Sequence, residues 1–478
     1  MILESRDALG RRLAGVASGE GKGFAVANPK AFQGSLADDL AETAVFSADA
    51  VARAEARFVL KSAARALGVP LASIHDFYSA VGRGEVAPLT VPAMNIRGLS
   101  YDTMRAFFRA ANRLRCGAFL FEIAKSEIGY TDQRPSEYVA VALAAALREG
   151  FRGPVFVQGD HFQASAKGYV ADPAKEVESL RALIREAVAA GFYNIDIDSS
   201  TLVVLERPDL KAQQRDNAEV CAELTRYIRT VEPEGTTVSV GGEIGEVGAH
   251  NSTVEEFRAF MAQYATLYGR EDGIRKISVQ TGTSHGGVVL PDGSVAKVKL
   301  DFNVLSAISA AARKEYGLGG TVQHGASTLP DEAFHQFPTH GACEVHLATG
   351  FQNLVFDHPA LPLEFKEHVY DHLRTACAKE RKEGETEEQF LYKTRKKGFG
   401  GALKREWWSL APEVRDAIGA SLEKKFAFLI EQLGAKNSRA AVDRYVKAAP
   451  PVPHLFLEQA ALEGKLAEVK DDGNPRAD

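Results

Sequence analysis

The chain has 478 residues, 45% of them hydrophobic and 25% charged, enough apolar material for one large barrel or two to three ordinary domains. A formal net charge of −6, with no long basic run before the C-terminal quarter, argues against nucleic acid as the main partner. Four scattered cysteines without zinc-finger or redox spacing (Cys116, Cys221, Cys343, Cys377), no signal-peptide core and no run of 18 apolar residues point to a reduced cytoplasmic protein with no membrane partner.

Residues 1–70 read as a helical N-terminal extension, with helical spacing over 47–67 and no evident chemistry. A further helix is expected over 71–84, stopped by glycines. Apolar strands then alternate with amphipathic helices. The strands are expected at 92–97, 118–123, 154–160, 194–200, 237–245, 276–282, 320–325 and 342–350. Eight strands separated by helices imply a parallel sheet closed into a (β/α)8 TIM barrel over residues 71–360. An open doubly wound sheet is the alternative, but no glycine-rich phosphate fingerprint follows the first strand. Residues 361–478 form a helical C-terminal extension, in which the charged stretch 379–405 reads as an exposed helix and a glycine-rich loop. The last residues are expected to fray.

The barrel gives the polar residues a place. Asp160 and His161 end the third strand. Alone, that dipeptide is better explained as a helix cap beside a packed histidine. However, Asp198 ends the fourth strand, Glu243 the fifth, His285 the sixth and His324 the seventh, all at the rim where a barrel builds its active site. Three histidines from three strands with an open fourth position suit catalytic Zn²⁺, although Fe²⁺, Co²⁺ or Mn²⁺ also accept imidazoles. Asp198 and Glu243 then orient the ligands or offer a second position for the ion. Gly286, Gly325 and Ser327 follow the histidines directly, and Thr349-Gly350 ends the eighth strand. These are suited to an anion, and equally to tight turns.

The pieces Pro92-Ala-Met-Asn95, Gln158-Gly-Asp-His161, Ile197-Asp-Ser-Ser200, Gly242-Glu-Ile-Gly245, Gly282-Thr-Ser-His-Gly286 and His324-Gly-Ala-Ser327, in this order, resemble the class II (metal-dependent) fructose-bisphosphate and tagatose-bisphosphate aldolases. The resemblance implies that His161, His285 and His324 hold zinc and that Asp160 moves the proton of the C4 hydroxyl. It places Asp198 and Glu243 at a vacated metal position and Gly286, Gly325 and Ser327 on the C1 phosphate. Asn95 and Thr349 join the substrate-binding set. A monovalent cation and a homodimer or higher homo-oligomer are also implied.

The expected substrate is a ketose phosphate, foremost fructose 1,6-bisphosphate, split to dihydroxyacetone phosphate and glyceraldehyde 3-phosphate. An ion on the carbonyl serves as electron sink, and no lysine at a strand end offers a Schiff-base route. Three positions depart from the family pattern. His346 stands for the asparagine that steadies the enediolate, Ala348 for an aspartate, and Ala124 for a small hydroxyl residue. Glu246 or His250 must then supply the proton on the C3 side. In the basic stretch before Trp407-Trp408, Arg405 is the candidate for a distal phosphate, since its planar fork makes two hydrogen bonds. The alternatives are a non-catalytic accessory subunit of a tagatose-bisphosphate-type aldolase and a metal-dependent hydrolase.

Overall fold

The structure, a computed structural model, describes residues 1–245, 250–282, 290, 300–448 and 451–466. Eight parallel strands close a barrel: β1 (Val91–Asn95), β2 (Leu120–Ala124), β3 (Val157–Gln163), β4 (Asn194–Asp198), β5 (Ser239–Glu243), β6 (Lys276–Val279), β7 (Thr321–Gln323) and β8 (Ala342–Leu347). Each pairs with its successor and β8 returns to β1. Helices on the outside bury the apolar outer faces of the strands. The alanine-rich helix Pro135–Arg148 is buried almost throughout, because the N-terminal helices Ala37–Phe46 and Ala50–Ala66 cover it in turn.

The elements follow the sequence with local corrections. The helix expected over 47–67 starts at Ala50, because the Asp49 side chain accepts from the Val51 amide and caps it. The helix expected from 71 starts at His75, because Leu71 is taken up in a parallel bridge with Val155. The eighth strand stops at Leu347, and Thr349 opens the helix Thr349–Phe356. The charged stretch 379–405 is not one exposed helix. It breaks into the short helices Glu387–Thr394, Arg395–Phe399 and Leu403–Trp408. Phe399, Leu403 and Trp407 are buried there, and the Trp407 indole donates to the Gly398 carbonyl at 2.7 Å.

The correction that matters most is in β3. It was expected to end at Asp160, yet it runs on to Gln163. Against β4, Gly159 faces Ile195 and Phe162 faces Ile197, so one extra residue is inserted in β3. This is a β-bulge, a device that re-aims side chains at a barrel rim. Asp160 and His161 are the bulged residues, and His161 has a left-handed φ of 41°. That conformation is strained for a residue with a Cβ. Gly159 is required beside it, since a Cβ there would lie 2.5 Å from the Phe162 ring.

Candidate active site

A cavity of about 690 Å³ opens at the carboxyl ends of the strands. Asp160 and His161 from the bulge, His324 after β7 and His346 on β8 line it together. The His161 ring lies 4.2 Å from that of His324, and His324 lies 4.1 Å from His346. Nδ1 of His161 is 3.0 Å from Asp198 and 3.4 Å from Glu243. The two carboxylates thus fix the ring and turn Nε2 toward Asp160, 3.9 Å away. Burial works against charge on His161, but Asp160, Glu243 and Asp198 outweigh it and raise its pKa well above the usual imidazole range. On the other side of the pair, burial works to raise Asp198, but the hydrogen bond from His161 holds it below the usual carboxylate range.

These residues fit a metal ion. Ligand atoms of Asp160, His161 and His324 lie within 4.8 Å of one another, as do those of His161, Asp198 and Glu243. A histidine whose second nitrogen is held by a carboxylate is the usual support of a metal-bound imidazole. Imidazoles with carboxylates suit a divalent transition metal. His285, the third expected ligand, and Glu246 and Gly286 lie outside the described residues.

Beneath this cavity the barrel interior is charged rather than apolar. The even strands each contribute one group, Glu122, Asp196, Lys276 and Glu344, all buried. A barrel layer takes its four side chains from alternate strands, and branched apolar residues usually fill it. Here the Lys276 ammonium lies 2.9 Å from Asp196, 2.5 Å from Glu344 and 2.7 Å from the Gln158 amide oxygen. Burial opposes its charge, but the two carboxylates raise its pKa above the normal ammonium range. It is therefore a fixed cation and not a Schiff-base nucleophile. Tyr78 donates to Glu344 from below. Gly241 makes the pair possible, since a Cβ there would lie 2.3 Å from the Asp196 carboxylate.

His346 joins this layer to the cavity. Its Nε2 is 2.6 Å from Glu344, and its Nδ1 is 3.1 Å from Glu122 and 3.2 Å from Asp160. Burial opposes protonation of His346, yet the Glu122 and Asp160 carboxylates raise its pKa well above normal. The His346 ring thus stands between Glu344 and Asp160, where the family pattern has an amide.

The remaining expected residues sort by place. Asn95, Gly325, Ser327 and Thr349 line the cavity. Asn95 donates to Glu127, while its own amide oxygen is buried without a partner. Ser327 Oγ accepts from the Ala348 amide at 2.7 Å, and its proton remains available to donate. Thr349 is a helix start rather than a strand end. His250 does not line the cavity: it is exposed and lies 3.0 Å from Glu256 on the next helix. Arg405 does not line it either. Its exposed side chain rests on Phe46 and lines a separate cavity. The C-terminal cation that does reach the catalytic cavity is Lys396, over the Tyr130 ring, with Lys125 and Arg97 also in the wall.

Sequence reasoning missed Lys396 because a charge run does not say which member faces inward. It also missed the charged layer, although a signal exists: in each even strand one charged residue directly precedes an apolar one, Glu122-Ile, Asp196-Ile, Lys276-Ile and Glu344-Val.

Among the described residues, no helix is long and apolar enough to cross a membrane. No curated protein matches the chain. The chain is similar to many solved structures, three of which follow. The fructuronate-tagaturonate epimerase UxaE from Cohnella laeviribosi is 14% identical, with 80% of this chain and 86% of that one covered and a TM-score of 0.57. The fructose-bisphosphate aldolase of Campylobacter jejuni is 16% identical over 77% of this chain and 98% of its own, with a TM-score of 0.47. The YdjI aldolase of Escherichia coli K12 is 10% identical over 77% and 98%, with a TM-score of 0.43. Residues 81–399 match the family model for class-II fructose-bisphosphate aldolase. That span contains the whole barrel together with Lys396, and on it the chain belongs to the class II fructose-bisphosphate aldolase family, the metal-dependent aldehyde-lyases.

Proposed function

We propose that this enzyme is a zinc-dependent aldolase acting on a ketose phosphate, fructose 1,6-bisphosphate foremost, and releasing dihydroxyacetone phosphate and glyceraldehyde 3-phosphate. The observation that carries the reading is the bulge, which puts a buried carboxylate and a metal-ligand imidazole on consecutive residues with His324 beside them. His161 and His324, with His285 as the expected third ligand, would hold a Zn²⁺, which would supply Lewis acidity toward the carbonyl when bound.

The protein residues divide the rest of the work. Asp160 accepts the C4 hydroxyl proton as the C3–C4 bond opens, with His346 3.2 Å away to orient it. Ser327 and the Gly325 turn hold one phosphate. Lys396 takes the distal one. Burial, and then the neighbouring Arg97, lower its pKa, so its ammonium gains from an arriving anion. Lys125 approaches from the same wall.

The test is triose release from fructose 1,6-bisphosphate, tagatose 1,6-bisphosphate and their monophosphates, with and without a chelator. The fold shared with a fructuronate-tagaturonate epimerase adds a ketouronate to the panel. Cleavage of a bisphosphate, lost on chelation and restored by Zn²⁺, is expected. Asp160→Asn is expected to keep the metal and lose at least ~10²-fold in turnover, the scale of a missing acid/base group. No turnover on any substrate would make the chain an accessory subunit. Phosphate release without triose would make it a hydrolase.

A further inference from the structure

A second cavity, of about 380 Å³, lies where the N-terminal helices, the barrel and the C-terminal segment meet. No residue lines both this cavity and the catalytic one. Its wall carries five cations, Arg53, Arg57, Arg134, Lys404 and Arg405, against three carboxylates, Asp132, Glu137 and Glu186. Two of the carboxylates are already committed. Glu186 binds Arg134. Glu137 lies 2.5 Å from Lys404 and is shared with Arg57, 3.6 Å away. Arg57 is only 4% exposed, and burial pushes its pKa down despite that partner. Its two nearby carboxylates, Glu137 and Glu458, are each shared with a lysine, so a desolvated guanidinium there gains from another anion.

Arg53 and Arg405 have no carboxylate within ion-pair distance among the described residues. Arg53 donates to the Ser47 carbonyl at 2.6 Å, and Arg405 sits 5.5 Å from the centre of the Phe46 ring. The Ser47 carbonyl and the ring of the preceding Phe46 thus each hold one guanidinium that lines the cavity without a carboxylate partner. A guanidinium fork is suited to a phosphate. The volume equals about a dozen waters at liquid density, more than a bare phosphate fills. Val45, Ala461 and Leu462 give the remainder an apolar wall.

We propose that this cavity is a second ligand site, separate from the catalytic one, that binds a phosphorylated small organic molecule through Arg53 and Arg405, with the buried Arg57 behind them. The site stands whether or not the enzyme cleaves a ketose phosphate, because its test is binding.

Inorganic phosphate and glucose 6-phosphate are titrated calorimetrically into the metal-loaded full chain. The ester is expected to bind more tightly than phosphate. Arg53→Gln, at a half-buried position, is expected to weaken it at least ~10-fold, the scale of one charge-assisted hydrogen bond, with kcat and KM of cleavage unchanged. Arg405→Gln, at an exposed position, is expected to weaken it similarly. Unchanged affinity in both variants, or no binding to the parent chain, overturns the site. Binding that survives Arg53→Gln and is lost in Lys396→Gln places the anion in the catalytic cavity and overturns it as well. Phosphate bound as tightly as the ester overturns the organic ligand.

Discussion

At the scale of single residues, the site depends on which charges face the cavity. Asp160, His161 and His324 were legible in the sequence because each follows or interrupts an apolar strand at the rim, where a barrel places chemistry. Lys396 and Arg405 were not separable in this way. Both lie in one basic, glycine-rich stretch, and only the packing of Phe399 and Trp407 decides which faces in. The two positions therefore give opposite expectations. Lys396→Ala should raise KM for a bisphosphate by about 10-fold, the loss of one charge-assisted hydrogen bond, and affect a substrate lacking the distal phosphate much less. Arg405→Ala should leave both KM values where they are. Steady-state kinetics on the two substrates decides the matter, and equal effects of Lys396→Ala on both would remove Lys396 from phosphate recognition.

At the scale of elements, the strand count and order could be read from the apolar runs, but the bulge in β3 could not. A one-residue insertion shifts the alternation of faces, but here it follows a continuous apolar run, 155–157, that has no alternation to shift. It shows only when β4 is paired beside it, residue by residue. The charged inner layer escaped for a related reason. Each member looks like an isolated polar residue in its own strand, and the four meet only when the barrel closes. The layer also makes a backbone demand at Gly241, where a Cβ would press on the Asp196 carboxylate and, at 2.9 Å, on the Lys276 side chain. Gly241→Ala should cost about 1–3 kcal/mol of stability, as overpacking in a filled core does. Urea unfolding of the two proteins measures this, and equal midpoints would show that the layer has slack.

At the scale of the whole molecule, stability should depend on pH through His75, at the bottom of the barrel. Burial, and then Arg275 and Arg229, lower its pKa to about 3. The folded protein keeps it neutral, while the unfolded chain protonates it near its ordinary value of about 6.5. Its contribution is thus complete above about pH 6.5. It is lost as pH falls toward 3, at about 1.4 kcal/mol per unit. His346, whose pKa is raised, acts in the opposite sense: its contribution is complete below about pH 6.5 and is lost as pH rises toward its folded value. Hence the comparison is between the parent and His75→Gln. Their difference in unfolding free energy should shrink or reverse by about 2 kcal/mol between pH 7 and pH 5, and a constant difference would show His75 to be protonated in the fold. The termini show what a linear reading cannot supply. Lys61, on the helix Ala50–Ala66, finds its counter-ion in Glu458 at 2.5 Å, 397 residues further along the chain. That pairing has a consequence for biosynthesis. At about 5–20 residues per second, a ribosome needs roughly 20–80 s between the two residues. For that interval the lysine lacks this partner, and the face that the helix Leu455–Glu463 later covers stays open. That one seam of the N-terminal region therefore closes only after the helix Leu455–Glu463 has left the exit tunnel, while its contacts with the helix Pro135–Arg148 can form earlier.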